Sequence, residues 1–224
     1  LRRQGIPLLR RVSGGGAVWH DPGNLNYAFV LPRTGSFCGR SLLGEVVQAL
    51  AGAGVAVVAD ERLALRQPDG RKVGGTASAL SASAVLFHGT LLLSADLPAL
   101  SRYLRPAVSG LRTAASPSTP ATVANLGVAP ETVQDAFRRH FGAVAEAAPG
   151  EASAATAARH RSAAWLYGRT PDFTQAAAGW TIVVRGGRVE QADFLGQARP
   201  EWQGLAYGEF LASSPTPGPR AVSD

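Results

Sequence analysis

Residues 8–31 read LLRRVSGGGAVWHDPGNLNYAFVL, and this stretch decides how the chain folds. Leu25, Tyr27, Phe29 and Leu31 alternate with their neighbours, the period-two pattern of a strand with one buried face. Val12 reads as the end of a preceding strand. Between the two, Ser13-Gly14-Gly15-Gly16 offers successive backbone N–H groups with no side chains in the way, an arrangement that can cradle phosphate or carboxylate oxygens. The loop lacks both the Gly-Lys-Ser/Thr ending of a P-loop and the spacing of a dinucleotide fingerprint, so those nucleotide folds are disfavoured.

Working outward, apolar residues at helical spacing predict a helix over 41–53, with Ser41 as N-cap and Glu45 just inside. Val55–Ala59 reads as a buried strand, and Leu63 and Leu65 lie on another. The turn Gln67-Pro68-Asp69-Gly70 then leads into Arg71-Lys72-Val73-Gly74-Gly75-Thr76. Val85–Leu93 is a strand with Gly89 inside it, a mark of close backbone approach. Asp96 caps a helix ending at Tyr103, and Glu131–Ala147 forms another. Residues 113–122 read as a loop, and 148–158 as a linker or weak helix. Trp180–Val184 and Arg188–Phe194 form a hairpin around Gly186-Gly187. Strands and helices mix without strict alternation, which argues for an α+β fold: a mixed or antiparallel sheet with flanking helices, plus a small C-terminal unit. The expected divisions are a catalytic domain over 1–148, a connecting segment over 149–169, the small unit over 170–212 and a disordered tail over 213–224.

The composition excludes several classes. With 224 residues, 46% hydrophobic and 17% charged, the chain is long enough and apolar enough for a core, and it is not a disordered one. A single cysteine, Cys38, rules out a disulfide scaffold. No apolar run is long enough to cross a membrane, and no secretory pattern opens the chain, so the expected compartment is the cytoplasm. A net charge of +6 suggests an acidic partner or substrate. The arginines are scattered and aromatics make up 7%, which sets nucleic acid low. Lysine occurs once, at position 72, against 21 arginines. Arginine cannot replace a compact ammonium on a flexible stem, so Lys72 is a candidate for chemistry on composition alone.

Other candidates are weaker. Arg10 and Arg11 add positive charge before the glycine loop. His20 with Asp21 makes a poor metal pair, because adjacent strand residues face opposite ways. His88, taken alone, reads as a satisfied, half-buried structural histidine, and His140 and His160 receive no role. Cys38 has neither a flanking helix start nor an obvious base to make it a nucleophile. No Gly-x-Ser-x-Gly elbow occurs.

Three segments, in order, resemble the lipoate–protein ligase family, within the group that includes biotin ligases and octanoyltransferases. They are RRVSGGGAVWHDPGNLNY (10–27), GRKVGGTA (70–77) and HGTLLLSADLPALSRYLRP (88–106), with weaker echoes at TVANLG (122–127) and WLYGRTPDF (165–173). The resemblance implies activation of lipoate by ATP, with Mg2+, to lipoyl-adenylate. Transfer follows to a lysine of a lipoyl-acceptor domain of 2-oxoacid dehydrogenase complexes or of the glycine-cleavage H protein. It implies Lys72 as the catalytic cation, and Gly16, Ala17, Val18, Trp19 and His20 with Lys72 at the nucleotide. Arg11, Ser13, Gly14, Gly15, Lys72 and His88 would line the lipoate pocket. It further implies an N-terminal segment before Leu1, and a protein that is monomeric and bound to neither nucleic acid nor membrane. Where family members usually carry Asn-Asp before the lysine turn, this chain has Glu61-Arg62, and Gly74 stands where a serine is usual. Rival readings are an acyl transferase of the same fold that uses no ATP, and a non-catalytic lipoyl- or nucleotide-binding module. A transferase with a covalent acyl-enzyme would need a cysteine near the lysine motif, and none lies between residues 39 and 224. A biotin ligase is disfavoured by the absence of its glycine–arginine run.

Overall fold

The computed structural model describes residues 4–35, 37–104, 110–115, 119–142, 151–177 and 179–213. The chain divides into two compact units, neither of them contiguous. One comprises Val12–Arg105 and Pro117–Ala147, the other Leu1–Arg11, Pro106–Ser116 and Ala148–Asp224. Leu1–Arg11 and Pro106–Ser116, expected within a 1–148 block, thus group with the C-terminal residues. Apart from Ser213, the expected tail over 213–224 lies outside the described residues.

The first unit holds a sheet of β1 (Asn24–Pro32), β2 (Val58–Ala59), β3 (Leu65–Arg66), β4 (Lys72–Leu80) and β5 (Ala84–Leu92). Its strands pair antiparallel in the order β1-β5-β4-β3-β2. The alternation seen in the sequence separates the two faces. Leu25, Tyr27 and Phe29 oppose Leu91, Gly89 and Phe87 and join the core with Leu43, Val46, Leu50 and Val133. Those last residues come from α1 (Gly39–Ala51) and α3 (Pro130–Phe141). The intervening residues Ala28, His88 and Ala77 share the other face, as do Asn26, Thr90 and Gly75. Gly89 is required by the core: a Cβ there would meet the Tyr27 hydroxyl at 2.3 Å.

Several boundaries differ from those read in the sequence. The N-cap of α1 is Cys38, not Ser41, and the helix stops before Gly52. Val55 and Val57 are buried without joining the ladder, which shortens β2 to two residues. Leu63 has φ 60 and turns the chain instead of extending it, so β3 begins only at Leu65. Asp96 caps α2 (Leu97–Tyr103) as expected, accepting from the Ala99 N–H at 2.9 Å. The expected helix over 131–147 ends at Phe141, before Gly142 at φ 93, and residues 143–147 lie outside the described ones.

The second unit carries β6 (Leu111–Thr113), β7 (Phe173–Ala177), β8 (Trp180–Arg185), β9 (Arg188–Phe194) and β10 (Gln197–Ala198), antiparallel in the order β10-β9-β8-β7-β6. Gly186 and Gly187 both take positive φ, which matches the hairpin's turn to the strand twist. Ile182, Val184 and Val189 form its core with Phe210 of α6 (Tyr207–Ser213). Of the two readings of the 148–158 stretch, linker or weak helix, the described residues take the second: α4 (Glu151–Arg161), followed by α5 (Ala163–Leu166), which Ser162 caps.

Candidate functional site

Lys72 opens β4, and its backbone is clamped on one side by the 122–124 segment. Its N–H donates to the Thr122 carbonyl at 2.8 Å, and its own carbonyl accepts from the Ala124 N–H at 3.0 Å. On the other side the β3–β4 register shifts, so that Leu65 pairs with Gly74 and Arg66 with Lys72. Val73 takes the core, fully buried, and Lys72 turns over the opposite face. A Cβ built at Gly75 would sit 3.5 Å from both Cε and Nζ of Lys72, so the ammonium lies directly above that glycine. Gly75 pairs with Thr90, and His88 stands two residues along β5, about 7 Å away by strand rise.

His88 is flanked in register by Ala28 and Ala77, small neighbours that leave its ring room on this face. Its Nε2 lies 2.6 Å from Ser13 Oγ. The glycine loop is thereby anchored to the sheet at its first residue. Gly14, Gly15 and Gly16 follow, exposed, with Gly15 at φ 103.

Asp21 fixes the far end of the loop. Its Oδ2 accepts from the Trp19 indole and from the Asp96 N–H, and its Oδ1 accepts from the Gly23 N–H, all at 2.8 Å. Burial alone would raise this carboxyl, but those donors hold it below its ordinary value. Trp19 stacks on Tyr103, centroids 4.9 Å apart. Ala17, Val18 and His20 are exposed between these anchors.

The electrostatics of Lys72 involve two residues that the sequence reading passed over. Burial, the largest cause, lowers its pKa from the ordinary lysine value; the Asp60 charge acts upward and the Arg66 charge downward. Asp60 Oδ1 accepts from the N–H groups of Arg62 and Ala64, and Oδ2 accepts from Arg66 Nε at 2.8 Å. Burial would raise this carboxyl too, yet its donors keep it below the ordinary range. The carboxylate that acts on Lys72 is therefore Asp60, one residue before the Glu61-Arg62 pair singled out from the sequence. The readable signal was an aspartate at a loop start, where its side chain can accept from N–H groups two and four residues on.

Ser13, His88 and Lys72 thus share one face of one sheet. Arg11 falls in the other unit, where burial and then the neighbouring Arg10 charge lower its pKa from the ordinary value. Cys38 is exposed at the N-cap of α1, in a cavity of about 350 Å³ lined by Leu31 and Val85 at the opposite end of the β1–β5 pair. A cation, a hydroxyl–imidazole pair and a run of glycines suit a substrate whose reacting carbonyl or carboxylate develops negative charge.

The family model described as the lipoyl protein ligase A/B catalytic domain matches residues 1–142. The mitochondrial lipoyl amidotransferase LIPT1 of Mus musculus is 31% identical over 245 residues, covering 96% of this chain. The chain spans 65% of the length of that relative. A crystal structure of lipoate-protein ligase A bound with ATP is 25% identical with a TM-score of 0.54, over 70% of this chain and 68% of that one. The bipartite lipoate protein ligase of Thermoplasma acidophilum, described with its E2 lipoyl domain, has a TM-score of 0.58 at 24% identity, a likeness of fold alone. It covers 74% of this chain and 72% of the other.

Proposed function

The chain belongs to the lipoyl protein ligase A/B catalytic family, and on that premise we propose that it transfers a lipoyl group to a lysine of an acceptor protein. The observation that carries the reading is the ammonium of Lys72, half-buried above Gly75 on the face that also holds His88 and Ser13. A preorganised cation there stabilises charge on the acyl oxygen as it develops, without the reorganisation that water would require. Ser13, Gly14, Gly15 and His88 line the acyl pocket. The backbone of Gly16–His20 holds the leaving portion of the donor.

The donor distinguishes two versions. Amidotransfer breaks one lysine amide and makes another, so it consumes no ATP; the name of the mouse relative, at 31% identity, favours it. ATP-dependent ligation brings a carboxylate against an α-phosphate, and a lysine between two anions is suited to that step. The fold shared with the ATP-bound ligase favours this second version. Mg2+ held through nucleotide phosphates needs only one or two protein carboxylates. Asp60, the carboxylate that acts on Lys72, is already engaged by Arg66 and two backbone amides, a poor fit to a metal. Among the described residues no group of three or more His, Cys, Asp or Glu side chains is arranged to hold a metal.

The acceptors are lipoyl domains of 2-oxoacid dehydrogenase complexes or the glycine-cleavage H protein. The archaeal ligase described with its E2 lipoyl domain supports this. For location, the mitochondrial relative stands against the cytoplasmic expectation. Among the described residues no helix is long and apolar enough to cross a membrane.

The test supplies apo acceptor domain with either a lipoylated donor protein or lipoate plus ATP, and follows acceptor mass and pyrophosphate. Lipoylation from the protein donor without ATP is the expected result. Pyrophosphate release with lipoate and ATP assigns ligation instead. Neither product would leave the chain a binding module.

A further inference from the structure

We propose that the arginines gathered around Trp165 form a docking surface for an acidic segment of the acceptor protein. The proposal rests on the acyl-transfer reading above and names the surface that recognises its protein partner.

Trp165 is buried, and its indole N–H donates to the Arg10 carbonyl at 2.7 Å. Two guanidinium groups stand on its ring, Arg159 at 5.1 Å and Arg169 at 4.7 Å from the centroid. His160 stacks on the same ring, with centroids 4.3 Å apart. Arg10 joins them: its Nε donates to the Leu166 carbonyl at 2.7 Å and its Nη2 to Thr170 Oγ1 at 2.9 Å. All these residues belong to the second unit. Arg159 and Arg169 are exposed, as is Arg161 on the last turn of α4.

No acid nearby neutralises the cluster. Among the described residues Arg10, Arg159 and Arg169 take part in no ion pair. Asp172, three residues after Arg169, is committed to the β8–β9 turn: its Oδ1 accepts from the Gly186 N–H at 3.0 Å, and its Oδ2 lies 3.9 Å from Arg185 Nη1. Glu151, the one acid of α4, stands eight residues before Arg159, about 12 Å along the helix axis. Like charges held around one ring repel each other, and an anion that fits them recovers that energy on binding. Stacking on Trp165 also holds the guanidinium planes, so their N–H forks are oriented before a ligand arrives and less freedom is lost.

The layout favours several carboxylates along a chain over one phosphate. A phosphate site gathers backbone N–H groups around a point. Here the N–H groups of Tyr167, Gly168 and Thr170 are spent on the Ala163, Ala164 and Tyr167 carbonyls, while the cations spread from the end of α4 to beyond α5. The acceptor is such a chain, and a net charge of +6 complements an acidic one. In the sequence only two residues separate Arg10 from Ser13 of the glycine loop.

The experiment measures transfer by the full chain to an apo lipoyl domain, comparing the parent with Arg159→Glu/Arg169→Glu and with Arg159→Gln/Arg169→Gln. The reversed pair should raise KM for the domain about 3–30-fold, with kcat within about twofold. The neutral pair should fall between, which keeps the test open if the reversed pair folds poorly. Added salt should raise the KM of the parent and hardly that of the reversed pair. Arginine modification by phenylglyoxal, mapped by peptide mass, gives a readout that needs no catalysis. The apo domain and polyglutamate should each protect Arg159 and Arg169 but not Arg185, whose Nε is held by Glu190 at 2.8 Å. An unchanged KM in both variants, or no protection by the domain, would overturn the docking surface. Protection by inorganic phosphate and not by polyglutamate would overturn it in favour of a small-anion site. Protection by the domain without transfer from either donor would overturn the acyl-transfer reading and leave the docking surface standing.

Discussion

Gly74 and Gly75 are neighbours on β4, and the same added methyl should act on them through different links of the chain from structure to function. At Gly74 a Cβ would lie 2.4 Å from the backbone oxygen of Thr90, with Leu91 Cδ2 and Leu65 Cβ at 3.4 and 3.5 Å behind it. Ordinary non-bonded contact needs about 3.5 Å, so β4 must move roughly 1 Å from β5 in a place already filled by two fully buried leucines. Overpacking of this kind costs about 1–3 kcal/mol, or about 2–12 °C in Tm for a chain of this size. At Gly75 the same Cβ would meet only Cε and Nζ of Lys72, at 3.5 Å, which is ordinary contact. Gly75→Ala should leave stability unchanged or raise it by up to about 1 kcal/mol through the unfolded chain. Its methyl occupies the floor beneath the ammonium, so acyl transfer should fall instead. Thermal unfolding followed by circular dichroism, paired with the transfer rate, separates the two effects. A Gly74→Ala variant as stable as the parent would refute the close approach of β4 to Thr90, and a Gly75→Ala variant of full activity would refute the placement of Lys72 over that glycine.

Lys72→Arg keeps the charge but presents a wide planar fork, and transfer should drop about 10²–10³-fold with the fold intact, read by single-turnover rate and circular dichroism. Lys72→Met should be inactive yet no less stable at neutral pH: the folded chain holds this proton less tightly than the unfolded one. The penalty is therefore present below the lowered folded value and vanishes as pH rises past the ordinary 10.5, where denaturant titrations of the two forms should converge. Asp60 favours the charged form of Lys72 and Arg66 opposes it, so Asp60→Ala should move the alkaline limb of the rate profile to lower pH and Arg66→Met to higher pH. Shifts in the same direction would separate this pair from the site.

The parts of the fold legible in the sequence are those whose signal is local. Alternation marks β1 and β5, Gly186-Gly187 marks the β8–β9 turn, and Asp96 marks the start of α2, because period, φ and capping are properties of a few adjacent residues. The start of α1 was not legible: an extended Cys38 with φ −115 sets it, against the better capping chemistry of Ser41. Val55 and Val57 looked like strand because burial, not pairing, selects their side chains. At the site, Lys72 stands out as the only lysine, but its course over Gly75 depends on a register shift that no periodicity records. Ser13 and His88 are 75 positions apart, and their 2.6 Å approach exists only once β5 and the glycine loop are in place.

The interleaving of the two units governs how the protein can be made and cut. The chain leaves Leu1–Arg11, builds most of the first unit, returns at Pro106–Ser116, goes back for Pro117–Ala147, and only then completes the second. On the ribosome, Leu111 must wait for Gln175 before β6 has a partner. β6, one of the five strands of the second sheet, thus spends much of synthesis unpaired, the condition in which strands associate with the wrong chain. Nor can a protease or a gene fusion separate the units at one point: a cut after residue 148 severs β6 from β7 and leaves both pieces carrying surface meant to be covered. Evolution can therefore alter either unit residue by residue but cannot readily exchange one as a cassette.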